Sequence, residues 1–428
     1  MPRACVLAEF TDRPCIMSSK VLIVATMPWP SAARLAGAFA GIGWTADALA
    51  PAGASVHRSR FARTVRRHSA FAPLAALARA IAECAPDLVV PCDDRAVRQL
   101  IALHDACTDH GDDAVAGLIA RSLGKPEHYG ALMSRAQLMA AAAAAGIAVP
   151  ATRSIASLDD LDTALAAVGL PAVLKADGSW AGDGVAVVHT REEAYDAFRR
   201  MARPLPPLRA LLRSFKRRDA HHVVEALAAP APVLSVQQFV SGALATTSFA
   251  AWQGEVAAAI HLDVAVSCGR TGPASVVRCV DDPVMAEAAR TLARMAGLSG
   301  FHGLDFIRDG AGKVHLLEIN PRATQTAALA LGEGKDLVAG LAARAAAAAV
   351  PARRAIGDAG YIALFPQEWA RDPASPHLAN AYHDVPWDDP AVLRQCLDGP
   401  GNKALADWRA KQRRAASPLR HSQCLTAG

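Results

Sequence analysis

The chain has 428 residues, a hydrophobic fraction of 52% and a formal net charge of +5, which predicts two or three domains with ample core volume. No run of about 18 apolar residues occurs, so the chain reads as soluble with no membrane partner, and the modest charge argues against nucleic acid. The nine cysteines are odd in number, scattered and never spaced CxxC, which points to a reducing cytoplasm and away from a zinc site or disulfide framework.

The first sixteen residues, MPRACVLAEFTDRPCI, carry Glu, Asp and two Arg and lack the apolar core of a signal peptide. The first strand begins at KVLIVA, which makes Met17 a candidate start. KVLIVATMPWPSAARLAGAFAGIGW reads as strand, loop and helix, with Ser31 as the helix cap. The basic stretch HRSRFARTVRRH (57–68) reads as the solvated face of a helix. LAALARAIAECAPDLVVPCDD reads as a helix and then a buried strand, so the alternation predicts a parallel α/β domain over residues 18–128. TMPWPSA after the first strand holds no glycine, and GxxxxGK[ST] is missing, which excludes the NAD fingerprint and the P-loop.

Residues 129–150 predict an Ala-rich helix ended by Gly146 and Pro150, and LDDLDTALAAVG a second helix. LPAVLKADGSWAGDGVAVVHT then predicts a strand, a Gly-rich turn and another strand. A basic, Pro-containing stretch follows (203–232), then a run of strands from VLSVQQFVSG to IHLDVAV. DPVMAEAARTLARMAGL predicts a helix, and 351–428 reads as a turn-rich extension. No internal repeat is evident.

Only eight of the 45 basic residues are Lys, so Lys175 before the turn DGSWAGDG is an uncommon choice. Glycine N–H groups and a Lys can cradle an anion there, and an ordinary hairpin would use the same glycines. GLDFIRDGAGKVHLLEINPR (303–322) reads as a β-hairpin with Ala311-Gly312 at its tip. Partners then sum to 623, which sets Asp305 opposite Glu318 and Gly303 opposite Asn320. Facing carboxylates repel by ~0.2–1 kcal/mol. They suit either a solvated sheet face or a shared hard cation such as Mg²⁺, with Asn320 as a neutral oxygen ligand and Arg322 beyond it on the same face.

Asp305, twelve intervening residues, Glu318-x-Asn320 and then Pro-Arg resemble the metal-binding signature of ATP-grasp enzymes. The resemblance runs in order over roughly residues 20–345. It implies a pre-ATP-grasp Rossmann-like α/β domain (18–128) and a two-subdomain α+β ATP-grasp fold (129–350, lid about 150–235). It also implies roles. Arg135 in MSRAQL and Lys175 contact phosphates, and Gly178, Gly182 and Gly184 form the loop closing over them. Gln237, Phe239 and Val240 in VQQFVSG lie near adenine. Asp305, Glu318 and Asn320 hold the metal, and Arg322 and Arg278 (in TGPASVVR) act on the transferring group. Two departures stand out: Gln237 replaces a common Glu, and Leu244 lies where many relatives place a ribose-binding acid.

The implied activity is ATP-dependent ligation. A carboxylate becomes an acyl phosphate, an amine or similar nucleophile displaces phosphate, and ADP is released. The cofactors would be ATP and Mg²⁺, with Mn²⁺ able to substitute. Partners would be small-molecule carboxylates and amines, with a homodimer admissible. A phosphotransferase or carboxylase-like enzyme, or a nucleotide-binding protein without turnover, would use the same site. His302 reads as a packed histidine. Lys335 is a weak candidate for substrate carboxylate, and the aromatic stretches 365–369 and 381–387 cover the core or wall an acceptor pocket.

Overall fold

The computed structural model describes residues 19–176, 184–203, 233–269, 272–357 and 360–398, with scattered positions between 210 and 224. Strands β1 (Lys20–Val24), β2 (Thr45–Ala50), β3 (Ala62–Arg67) and β4 (Leu88–Pro91) form a parallel sheet of order β3-β2-β1-β4. Order reverses between β1 and β4, so the crevice beyond their carboxyl ends is a topological switch point.

Two local expectations are corrected here. Ser31 is the first residue of the helix Ser31–Ala40, and Pro30 stands at the cap. The basic stretch 57–68 is no helix face: Ala62–Arg67 is the edge strand β3, and Ser55–Arg58 a single 3-10 turn. A row of arginines on an edge strand deters pairing with a further strand. One of them, Arg63, is tied inward to the fully buried Asp47.

The helix Arg135–Ala144 begins at a Ser134 cap whose side chain accepts from Gln137 N. A small antiparallel sheet of order β5-β8-β6-β7 follows, built from Thr152–Ile155, Ala172–Ala176, Val185–Val188 and Leu234–Gln238 (β5, β6, β7 and β8). The helices Leu158–Val168 and Arg191–Met201 cover it, the second not foreseen in the sequence.

The largest sheet has seven strands, in the order β13-β12-β9-β10-β11-β14-β15. They span Gly242–Trp252 (β9), Glu255–Ser267 (β10), Ala274–Cys279 (β11), Gly300–Asp309 (β12), Val314–Asn320 (β13), Ile362–Leu364 (β14) and Tyr382–Asp384 (β15). Alternation gives it two buried faces. One carries Phe249, Leu304, Phe306 and Leu316 against the helices Arg135–Ala144 and Pro283–Met295. The other carries Ala250, Ile260, Leu262 and Phe301 in one core with Val21, Ile23 and Phe39 of the first domain. That core also takes Ile362, Leu364 and Val392, so the described part of 351–428 is built into the molecule. No helix among the described residues is long and apolar enough to cross a membrane.

Candidate active site

The hairpin β12–β13 sets Gly303 opposite Asn320 and Asp305 opposite Glu318. Nearer the tip the register shifts by one, since Phe306 pairs with Leu316 and Arg308 with Val314. The turn is therefore centred one half-step earlier than expected, and a bulge at Leu317 restores the pairing at the carboxylates. Gly312 (φ 82°) supplies the left-handed residue of the turn, and the Asp309 carboxylate accepts from Ala311 N and Lys313 N. At the other end Gly303 is required by close approach. A Cβ there would lie 2.4 Å from Thr324 Cγ2, where the chain folds back to Ser248.

Asp305, Glu318 and Asn320 are half-buried on the face turned to the first domain. Asn320 bridges the row: its Nδ2 donates to Asp305 Oδ2 at 3.0 Å, and its Oδ1 accepts from Arg322 at 3.1 Å. Arg322 also lies 3.4 Å from Asp94, the first residue of the helix Asp94–His110 beyond β4. The signature strand thus meets the switch point of the first domain, and Ala323 N bonds Pro91 O at 3.1 Å there.

Because β13 is an edge strand, groups from the smaller sheet and its preceding helix reach it. Arg135 forms an ion pair with Glu318 and donates to Ala176 O at 3.4 Å. Lys175, buried, donates to Leu317 O at 3.3 Å, the carbonyl that the bulge re-aims. Burial pushes its ammonium down to about 8, against the pull of Glu318 and with Arg135 adding to the fall. Burial would raise the Glu318 carboxyl too, but Arg135 and Lys175 outweigh it and hold the group below its ordinary value. Asp305 goes the other way: burial and then the Glu318 charge raise it, only partly relieved by Arg322, Thr246 and Asn320.

Gln237 lies buried beside this group, donating to Thr152 Oγ1 at 3.1 Å and Leu317 O at 3.5 Å. Phe239 and Val240 follow β8 and are half-buried. Gly184 closes the hairpin of β6 and β7 through its carbonyl, which accepts from Ala176 N at 2.9 Å. Gly178 and Gly182 lie outside the described residues.

Arg278 is not brought to the cluster. It pairs with Asp263, which pairs with Ala245, which pairs with Phe306. That row is one residue removed from the row of Asp305, so it faces the opposite side. There the Arg278 guanidinium bonds Asp263 at 2.8 Å, and Asp263 also meets Arg308. Lys335 is likewise paired away, with Asp281. His302 is a packed group, stacked on Phe249 with Nε2 at 2.9 Å from Ser299 O, and burial pushes it down to about 4.

Three participants were not read from the sequence. Thr246 lies beside Asp305 on β9, a partnership that strand order alone reveals. Asp94 meets Arg322 across more than two hundred residues of chain. The Leu317 carbonyl gathers Lys175 and Gln237 because of the bulge.

The donor set fits a hard divalent cation. Two facing carboxylate oxygens and an amide oxygen are the ligand types Mg²⁺ takes, and a cation would offset the burial and the facing Glu318 charge that together raise the Asp305 carboxyl. Among the described residues no group of three or more His, Cys, Asp or Glu is placed to hold a metal ion by itself.

Residues 214–326 match the family model described as ATP-grasp domain. No curated protein matches the chain. Solved structures match over most of its length. The biotin carboxylase of Campylobacter jejuni, in complex with a β,γ-ATP compound, aligns at TM-score 0.56 and 14% identity, covering 80% of this chain and 74% of that one. The ADP complex of the Staphylococcus aureus N5-carboxyaminoimidazole synthetase aligns at 0.55 and 12%, covering 78% and 80%. The biotin carboxylase domain dimer of the Hydrogenobacter thermophilus 2-oxoglutarate carboxylase, with MgADP, ADP and bicarbonate, aligns at 0.54 and 15%, covering 79% and 71%. At these identities the likeness to the solved structures is one of fold, and the match to the ATP-grasp domain covers residues 214–326.

Proposed function

We propose that the protein is an ATP-dependent ligase that activates a small carboxylate as an acyl phosphate and transfers the acyl group to an amine or similar nucleophile, releasing ADP and phosphate. The observation that carries this reading is the convergence of Arg135 on Glu318 and of Lys175 on the neighbouring Leu317 carbonyl, with Asp305, Asn320 and Arg322 alongside. Phosphoryl transfer needs charge neutralisation and positioning more than covalent chemistry by the protein, and this constellation supplies both. Asp305, Glu318 and Asn320 would hold Mg²⁺, which when bound offsets charge on phosphate oxygens. Arg135 and Lys175 would hold the phosphates, and Gln237, Phe239 and Val240 the adenine. Arg322, fixed between Asn320 and Asp94, would meet charge developing on the transferred group. A cytoplasmic setting and a homodimer belong to the same proposal.

A carboxylase-like reading is favoured by one observation: the Hydrogenobacter domain of like fold is described with bicarbonate, itself a carboxylate substrate for such activation. One screen separates the two. Carboxylates are paired with amines, hydroxylamine serves as a generic acceptor, and ADP release is followed with and without bicarbonate. ADP formed only with an organic carboxylate and a nucleophile supports ligation. Strict bicarbonate dependence favours the second reading, and a stable phosphorylated product would replace both.

A further inference from the structure

The segment PCDD (91–94) ends β4 and opens the helix Asp94–His110, and its two acids have different partners. Asp93, 5% exposed, is fully used within the first domain. Its Oδ1 accepts from Thr26 Oγ1 at 2.7 Å and from Ala96 N at 2.9 Å, and its Oδ2 accepts from Thr26 N at 2.7 Å. It therefore caps the helix and ties the chain leaving β1 to it. The Asp94 carboxylate, one residue on, has a single partner among the described residues. That partner is Arg322 of the signature segment, whose Nε lies 3.4 Å from Asp94 Oδ1.

Arg322 is held from its other side by Asn320. Its Nη2 donates to Asn320 Oδ1 at 3.1 Å, while Nη1 lies 3.4 Å from Ala323 O. Asn320 Nδ2 already donates to Asp305, so Oδ1 is the atom that Asn320 would offer a cation. One oxygen thus serves Arg322 in the structure and Mg²⁺ in the proposed function. A dication bound there repels the neighbouring guanidinium and polarises the shared acceptor, which weakens the bond to Arg322. Asp94 is the anion outside the metal set that still reaches Arg322. The two side chains are 21% and 22% exposed, so solvent screens the pair less than it would at the surface.

We infer that Asp94 is a positioning residue: it takes over the hold on Arg322 when Mg²⁺ occupies Asn320, and keeps the guanidinium aimed at the phosphoryl group in transfer. The hold comes from the first domain, and Ala323 N bonding Pro91 O at 3.1 Å fixes the two backbones beside it. Seating of that domain on the signature strand therefore governs whether Arg322 is ready. The inference rests on the ligation reading for the role of Arg322, but not for which carboxylate or nucleophile reacts.

The test uses the full-length protein and reads binding rather than turnover. Thermal shifts are titrated with MgADP alone, and then with aluminium fluoride added to saturating MgADP, where it stands in for the phosphoryl group in transfer. Asp94→Asn, nearly isosteric, should bind MgADP within about twofold of wild type and aluminium fluoride about tenfold or more weakly. Asp94→Glu, which keeps the charge, should recover most of that loss. In an Arg322→Gln background Asp94→Asn should cost less than about twofold further, because its effect acts through the arginine. Equal binding of aluminium fluoride by wild type and Asp94→Asn would overturn the inference, as would no response of wild type to it. So would equal weakening of MgADP, which marks a merely structural role, or an undiminished loss in the Arg322→Gln background. The ligation reading fails separately, when no pairing of carboxylate and nucleophile releases ADP from wild type.

Discussion

Asp305 and Glu318 face each other across one ladder, yet their carboxyls are displaced in opposite directions, Asp305 upwards and Glu318 downwards. The cause is asymmetric company. Glu318 sits against Arg135 and Lys175, whereas Asp305 feels burial and the Glu318 charge first. Without a cation, the repulsion across the pair therefore falls on Asp305.

Substituting the two acids should separate their roles. Asp305 is raised from 3.8, so its ionisation costs the folded state as pH rises through the folded value. Asp305→Asn should raise apo stability at pH 7 by ~1 kcal/mol, a gain that disappears in acid. Glu318 is lowered from 4.5, so its contribution is present above that pH and is lost as pH falls through the folded value. Glu318→Gln should cost ~1–3 kcal/mol at pH 7, because Arg135 loses its partner and Lys175 a nearby opposite charge. Wild type should gain ~2.7 kcal/mol from Mg-ATP at a hundredfold excess over Kd, and both variants little, with ADP release abolished. Denaturant melts with and without nucleotide, together with turnover, check this; normal turnover in either variant sinks the metal-site assignment.

Lys175 should trade stability for binding. Its value is lowered from 10.5 to about 8, so the unfolded chain holds the extra proton between those limits and stability rises with pH across them. Below pH 8 the buried charge is a cost. Lys175→Met should therefore stabilise the apo protein at pH 7 by ~1–3 kcal/mol, with the difference shrinking from pH 8 to 10.5. The same change should raise the ATP requirement by about tenfold or more. Melting curves across pH and initial rates across ATP concentration test the two halves.

Arg278 provides a control on sheet geometry. Because it lies one row off Asp305 and bonds Asp263, Arg278→Ala should leave kcat and KM for ATP within about twofold. A loss of about a hundredfold or more in kcat would mean that this arginine reaches the reacting groups after all.

Removal of residues 351–428 should abolish nucleotide binding and ligation together. β14 extends the large sheet beside β11, and Ile362, Leu364 and Val392 belong to the core shared with the first domain. Exposing them costs ~5 kcal/mol or more. A Tm lower by roughly 10 °C or more is the expected reading. A truncated protein that melts normally and fails only in ligation would give the segment a role in the acceptor pocket instead.

The sequence by itself determined the signature hairpin, many of the other strands, some of the helices, and the facing of Asp305 by Glu318. These are local matters: side-chain alternation has period two, and a turn fixes the pairing of the strands it joins. The limit of that reasoning shows in the same hairpin, where the tip lies half a step away and the bulge at Leu317 restores the register. Tertiary structure decided what depends on neighbours distant in sequence. Strand order set Arg278 on the far face and made Ala62–Arg67 an edge strand. Docking of the first domain brought Asp94 to Arg322, and burial set Lys175 near 8. Electrostatics and desolvation act through space, so a charge's worth depends on company that sequence spacing does not encode.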